Sequence, residues 1–174
     1  MKEQVGYFSE LNNITNKVIG LILQNKNLCR LLYHNNDPLG NSNEDVSNPS
    51  SLIMQNIFPL PKIPDAEEKE KVLLNVYVDS GKASRRNKGF RNEYICFDIV
   101  CHLNLWKIPE GIRPYSISNE LDKLFNNKYI AGVSLNNIYF DTWRGQQYSN
   151  YYYGYKLVYQ LTNNSNLIKN DSGV

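Results

Sequence analysis

The sequence predicts an α+β fold, in which an antiparallel sheet of about four strands carries a long β-hairpin, and an N-terminal helix and a second helix pack on one face. Two observations predict it. Between Tyr94 and Trp106, apolar side chains occupy every second position, while the other phase is mixed and partly polar. This period of two is that of a strand with one buried face. The segments Phe8 to Tyr33 and Pro114 to Asn127 instead repeat apolar residues at steps of three and four, which is typical of amphipathic helices.

The first helix and the segment after it differ sharply in composition. The helical period runs from Phe8 to Tyr33, and Asp37-Pro38-Leu39-Gly40 stops it. Residues 35–71 form an irregular insertion, polar at first and then rich in proline. Between Phe58 and Pro64, proline recurs at every second or third position, which forbids both a helix and a central strand. We therefore expect an extended segment laid over a surface of the domain.

The hairpin follows this insertion. Alternation over Val72 to Asp79 predicts its first strand, Ser80 to Arg91 its connection, and Tyr94 to Trp106 its second strand. The second strand would span roughly 40 Å at about 3.3 Å per residue, well above the usual strand length. A strand this long favours a sheet that extends into a neighbouring subunit or an assembly. It therefore indicates a structural protein and not a catalyst. The predicted core comprises Ile95, Phe97, Ile99 and Leu103 of this strand, and Ile117, Leu121 and Leu124 of the second helix.

Two more strands close the predicted sheet. The second helix begins near Pro114 and ends at Asn126-Asn127. Val133 to Thr142 is the third predicted strand, and Tyr151 to Leu161 is the fourth. Residues 1–162 are thus expected to form a single domain, with 163–174 as a flexible C-terminal tail.

The amino-acid composition limits the partners the protein can be expected to bind and the cell compartment in which it is made. The formal net charge of +2 is too small to imply a nucleic-acid or membrane partner by itself. The 13 tyrosines fit a protein that contacts other proteins, although a compositional bias of the genome would give the same count. Three cysteines cannot form a closed disulfide set, and no signal peptide or membrane span is apparent. We expect synthesis in a reducing cytoplasm, with free thiols.

The search for chemistry finds no catalytic set. The sequence has two histidines, and it lacks a Gly-rich phosphate loop, a nucleophile elbow and metal-ligand spacing. His102 shares a strand face with Asp98 and Cys96, but about 13 Å of strand separates it from Asp98 and about 20 Å from Cys96. No enzyme activity, cofactor or metal is therefore expected.

One charge feature is more distinctive. Lys82, Arg85, Arg86, Lys88 and Arg91 follow one another with no acidic residue until Glu93, at the predicted tip of the hairpin. Three interpretations remain open: a solvated loop, contact with nucleic-acid phosphates, or contact with an acidic patch of a neighbouring subunit. Arg144, in the predicted turn Trp143 to Gln147, is a further candidate for the same contact.

The order of elements resembles the tail-terminator and head–tail joining proteins of tailed bacteriophages. The resemblance is carried by the helix from Arg113 to Asn127, which follows a strand containing Asp98-Ile99-Val100-Cys101, and it covers roughly residues 11–161. It implies a non-enzymatic virion protein, made in the host cytoplasm, that forms a homo-oligomeric ring, typically a hexamer. Such a ring ends the tail tube and joins it to the head.

The implied partners are other copies of the chain, the tail tube and the neck or connector proteins. DNA would pass through the lumen and make non-specific contacts, and no membrane is involved. The alternatives are a neck adaptor or stopper, and a nucleic-acid-binding accessory protein that uses the basic 82–91 loop, with the tyrosines at 151–153 as a stacking platform.

Overall fold

The structure, a computed structural model, describes residues 7–64, 70–87 and 89–164. Its strands are β1 (Ile57–Phe58), β2 (Val72–Ala83), β3 (Phe90–His102), β4 (Lys107–Ile108), β5 (Gly111–Ile112), β6 (Tyr139–Gln147) and β7 (Tyr152–Asn164). Its helices are α1 (Tyr7–Gln24), α2 (Lys26–Tyr33) and α3 (Arg113–Phe125), with 3₁₀ turns at Pro49–Leu52 and Leu103–Leu105.

The main sheet has the strand order β1-β2-β3-β7-β6, and β4 and β5 form a small separate pair. The α+β class and the long hairpin are confirmed: β2 and β3 pair antiparallel from Val72 opposite Cys101 to Ala83 opposite Arg91. The described sheet is mixed and has five strands, where about four antiparallel strands were expected. The extra strand is β1, at the start of the proline-rich segment, which pairs in parallel with β2.

The long strand has the predicted length but a different position. β3 contains 13 residues and ends at His102, four residues before the predicted end. There the ring Nδ1 of His102 accepts a hydrogen bond from the Asn104 backbone N–H at 3.2 Å and caps a 3₁₀ turn. The placement of Leu103 in the core was therefore wrong. The chain leaves the sheet after His102, so the alternation of inward and outward side chains along β3 no longer determines which side Leu103 faces. The side chain of Leu103 is 50% exposed.

The helices lie on one face of the sheet, as predicted. Ile117 and Leu121 of α3 are fully buried, and the partly buried Leu124 packs against the same core. On the strand side, the ring of Phe97 stacks on Phe125 with centroids 5.1 Å apart. The predicted contact between the apolar face of β3 and the apolar face of α3 thus forms the centre of the core.

The predicted first helix is two helices. Asn25 has extended backbone angles, and its side chain accepts a hydrogen bond from the Leu28 backbone N–H at 3.0 Å, which makes it the N-cap of α2. The Asn25 amide also donates to Glu120 of α3 at 3.2 Å. The break therefore lets α2 change direction and tie to α3.

Arg113, at the start of α3, is a fully buried cation. Its guanidinium donates to three backbone carbonyls at the end of α2, those of Leu31 at 3.1 Å, His34 at 2.7 Å and Asn35 at 2.5 Å. The last carbonyls of a helix have no partner within the helix, so this contact satisfies them and joins α2 to α3. Burial lowers the pKa of Arg113 from its ordinary value.

The closing strands differ from the prediction at both ends. The third strand was expected from Val133, but β6 begins at Tyr139, and the buried Val133 lies in the loop before it. That loop lies beside the end of β7 but is joined to it by a side chain and not only by backbone pairing: Ser134 Oγ accepts a hydrogen bond from the Thr162 backbone N–H at 3.0 Å. The tail was expected to start at residue 163, but β7 extends to Asn164, and Asn163 is buried. Residues 165–174 lie outside the described part of the chain.

Candidate functional site

Strand β6 forms an edge of the main sheet and is covered very little. It pairs with β7 on one side, and eight of its nine residues are exposed. Trp143 is 58% exposed and Tyr139 is 53% exposed. An edge strand offers unpaired backbone N–H and C=O groups, and large exposed aromatic side chains add apolar area to them.

A groove lies beside this edge, between α3 and the helix-facing side of β6 and β7. The main helix contacts with the sheet are made to β2, β3 and β7, so the layer of helices stops short of β6. The uncovered space is a cavity of about 290 Å³. We call it the β6 groove, and it is lined by Tyr115, Ser118, Asn119, Asp122, Phe140, Trp143, Tyr155, Leu157 and Tyr159.

Aromatic contacts fix the shape of the β6 groove. The ring of Tyr155 packs edge-on against Trp143, with centroids 5.6 Å apart, and lies 5.2 Å from the ring of Tyr115. The hydroxyl of Tyr155 donates to that of Tyr115 at 2.9 Å. This hydrogen bond, together with burial, raises the pKa of Tyr155 to about 12, so its hydroxyl stays neutral at physiological pH.

The lining of the groove is mainly aromatic, so the groove is suited to binding apolar groups. Asp122 is the ionisable acid in its lining, and its Oδ1 already accepts from the Tyr159 hydroxyl at 3.1 Å. Gly145 of β6 leaves room for Tyr153, because a Cβ there would lie 3.1 Å from the Tyr153 hydroxyl. Flat rings beside an open strand edge can pack on an apolar partner and pair with its backbone.

The predicted cationic hairpin is only partly present. Lys82, Arg85 and Arg86 are exposed, with Lys82 in β2 and both arginines at the tip. Lys88 lies outside the described residues. Arg144, predicted in a turn, is an exposed residue of β6 opposite Lys156. The strand register places Arg144 level with Lys156 and Asp98, about seven residues or ~23 Å along β3 from Arg91 at the loop end of the hairpin, so these cations do not form one patch.

Arg91 was predicted as a candidate for the same contact, but within the subunit it is already paired. Its guanidinium lies 2.8 Å from Glu10 and 3.3 Å from the fully buried Glu93, and it stacks 3.9 Å from the ring centre of Tyr7. The second oxygen of Glu93 accepts from Asn163 at 2.8 Å. Arg91 therefore anchors the loop end of the hairpin to α1, and its charge is compensated.

Among residues 7–64, 70–87 and 89–164, no group of three His, Cys, Asp or Glu side chains is placed to hold a metal ion. Within the same ranges, no helix is long and apolar enough to cross a bilayer. The three cysteines are free and buried, and burial raises the pKa of the Cys96 thiol to about 11.

Sequence reasoning missed the β6 groove. Phe140 and Trp143 face the same side of β6, although they are three positions apart, because the register shifts between Phe140 and Thr142. This shift breaks the period of two, and the strand was placed too early as a result. The aromatic residues themselves were a usable signal, since three large rings lie within residues 139–143.

The comparisons with known proteins identify the family. The YomW family model matches residues 25–161, from α2 through most of β7. The chain belongs to the YomW family. A YomW relative, the SPbeta prophage-derived uncharacterized protein YomW of Bacillus subtilis (strain 168), is 31% identical over 131 residues, which are 68% of this chain and 77% of the relative. The YomW family is thus phage-derived, in agreement with the phage resemblance read from the sequence.

Proposed function

We propose that this YomW protein is a virion structural protein that forms a homo-oligomeric ring at the head–tail junction or at the top of the tail tube. The phage-derived family and the resemblance to tail-terminator and neck proteins support the setting. The observation that carries the proposal is the open edge at β6 with its aromatic groove. In this role the chain is a scaffold and binds no cofactor.

A second open edge lies on the far side of the sheet. Within the described residues, β1 pairs only with Leu74 and Asn75 of β2, so the half of β2 from Tyr77 to Ala83 has no strand beyond it. The β6 edge of one copy can therefore pair with the β2 edge of the next. Two different patches that meet head to tail generate a ring when the rotation closes.

The projecting hairpin gives such a ring a further contact. Lys82, Arg85 and Arg86 are exposed on it, and they carry positive charge beyond the core of the subunit. In the proposed ring these residues contact a neighbouring subunit or the DNA that passes through the lumen. A hexamer, and binding to the tail tube and the neck proteins, are the further parts of the proposal.

The proposal is tested by measuring the mass and shape of the assembly that the protein forms, both on its own and in the presence of tail tubes. Light scattering and electron microscopy of the intact chain should give a discrete ring. Trp143→Glu should dissociate the ring, because it places a charge in an apolar interface while the side chain is exposed in the single subunit. Tyr33→Glu is the matched control, since Tyr33 is 55% exposed on α2 and should leave the assembly unchanged. Monomers alone, both free and in assembled particles, would overturn the proposal.

A further inference from the structure

The sheet face that points away from the helices holds a second, polar cavity of about 180 Å³. Its floor is a row of side chains on adjacent strands, because Asn75 pairs with Asp98, Asp98 with Lys156, and Lys156 with Arg144. The proline-rich segment closes one side: Pro61, Lys62 and Ile63 line the cavity, and the Asn75 amide donates to the Lys62 carbonyl at 2.8 Å. The predicted extended segment thus forms a wall of the cavity.

Several buried polar atoms in this cavity form no hydrogen bond of normal geometry with the described protein atoms, although the Asn75 side chain lies close enough to Asp98 to oppose the rise that burial causes in its pKa. They are Oδ1 of Asn75, Oδ1 of Asp98, Oε1 of Gln146 and the hydroxyl of Tyr148. Asn75 is 1% exposed and Asp98 is 4% exposed, so both side chains are almost fully buried. Leaving a buried polar group unpaired is costly, and a cluster of such groups around one cavity indicates a ligand that supplies their hydrogen bonds.

The remaining groups of the site are fixed in position. Lys156 Nζ donates to the Tyr77 hydroxyl at 3.0 Å, and this hydroxyl donates to Asp98 Oδ2 at 3.0 Å. Burial opposes the charge of Lys156, but the hydrogen bond with Tyr77 and the nearby acidic groups outweigh it and raise its pKa to about 12. These two hydrogen bonds fix the Asp98 carboxylate through Oδ2, so the three side chains are preorganised for binding.

The chemistry of the lining restricts the ligand. Three of the four unpaired oxygens, those of Asn75, Asp98 and Gln146, can only accept hydrogen bonds. They would repel the oxygens of a phosphate or carboxylate. The cations Lys156 and Arg144 disfavour a bound amine or guanidinium. A hydroxyl group satisfies both sets, because it donates to one oxygen while it accepts from a cation or another hydroxyl.

We propose that this cavity binds a neutral polyhydroxylated ligand of the size of one sugar ring. The volume corresponds to about six water molecules at ~30 Å³ each, which suits a ring with about a dozen non-hydrogen atoms. The rings of Tyr77 and Tyr148 line the cavity and offer flat apolar surface to the C–H face of such a ring. A ligand of this size, held mainly by hydrogen bonds, binds with a dissociation constant on the order of a millimolar.

The experiment is a titration of the intact chain, followed by nuclear magnetic resonance and calorimetry. The probes are glucose, galactose, N-acetylglucosamine and glycerol, with inorganic phosphate and arginine as charged comparators. We expect saturable binding of at least one sugar below about 50 mM. This binding should be insensitive to salt, because the ligand is neutral. Stronger binding of phosphate or arginine, or no binding by any sugar at about 50 mM, would overturn the proposal.

The Tyr148→Phe substitution tests whether the sugar binds in this cavity. It removes one unpaired buried hydroxyl, so the free protein should keep or raise its melting temperature, while sugar binding weakens about three- to tenfold. Tyr139→Phe is the matched control, since the Tyr139 side chain is 53% exposed on β6, and it should bind the sugar as the original chain does. Equal binding by both variants would contradict the assignment of the site. The result is independent of ring formation.

Discussion

The same Leu→Ala substitution at a buried position and at an exposed position tests where the hydrophobic core ends. Leu121 is fully buried between α3 and the sheet, whereas Leu103 is 50% exposed just beyond β3. Leu121→Ala loses the transfer free energy of its methyl groups and leaves a cavity, which together cost about 2–5 kcal/mol. Leu103→Ala loses about half of the 1.5–3 kcal/mol for a fully buried leucine and leaves no closed cavity, so we expect a loss of about 0.7–1.5 kcal/mol.

The assay is equilibrium unfolding in urea, at one protein concentration because any assembly couples stability to concentration. In a parallel thermal unfolding experiment, each 1 kcal/mol corresponds to about 2–4 °C for a chain of this size, so Leu121→Ala should lower the melting temperature by roughly 4–20 °C. Equal losses for Leu121→Ala and Leu103→Ala would mean that the alternating face continues past His102. The described end of β3 would then be wrong.

Three further predictions concern charged residues. Arg113→Met keeps the bulk but leaves the carbonyls at the end of α2 unpaired, so the free energy of unfolding in urea should fall by about 2–4 kcal/mol; no loss would refute the capping role. Burial raises the pKa of Asp98, so its contribution to stability is fully present below the ordinary value of 3.8 and is lost as pH rises through the raised value. Asp98→Asn should therefore gain stability relative to the original chain as the pH is raised from 3.8, and a growing deficit would contradict this. Neutralising Arg85 and Arg86 to Gln should change the unfolding free energy by less than about 0.5 kcal/mol but impair assembly, whereas normal assembly with lost salt-sensitive DNA binding would favour the nucleic-acid alternative.

The fold was largely predictable because its main signals are local periods. The alternation around Ile95 and Phe97 and the helical steps around Leu121 both place residues that are buried in the structure. The errors arose where a single side chain redirects the backbone. Asn25 caps a new helix inside a continuous helical period, and His102 caps a turn inside a continuous alternation. A period alone cannot locate such caps.

The candidate sites were much less predictable, since they depend on which strands become neighbours. Asn75, Asp98 and Lys156 are far apart in the sequence, and only the strand order brings them into one row. Conversely, Arg91 looked like part of a basic loop, but pairing places it beside Glu93 and against Glu10 of α1. Charge counted along the chain does not reveal compensation by a distant element.

The most direct test of the proposed ring is amide hydrogen exchange of the intact chain, compared between its assembled and dissociated forms. Backbone N–H groups that form new strand pairs exchange more slowly. The account predicts that assembly protects the outward-facing amides of β6 together with those of β2 from Tyr77 to Ala83, while β3 is unchanged. Assembly without added protection at either edge would contradict the claim that these strands join neighbouring copies.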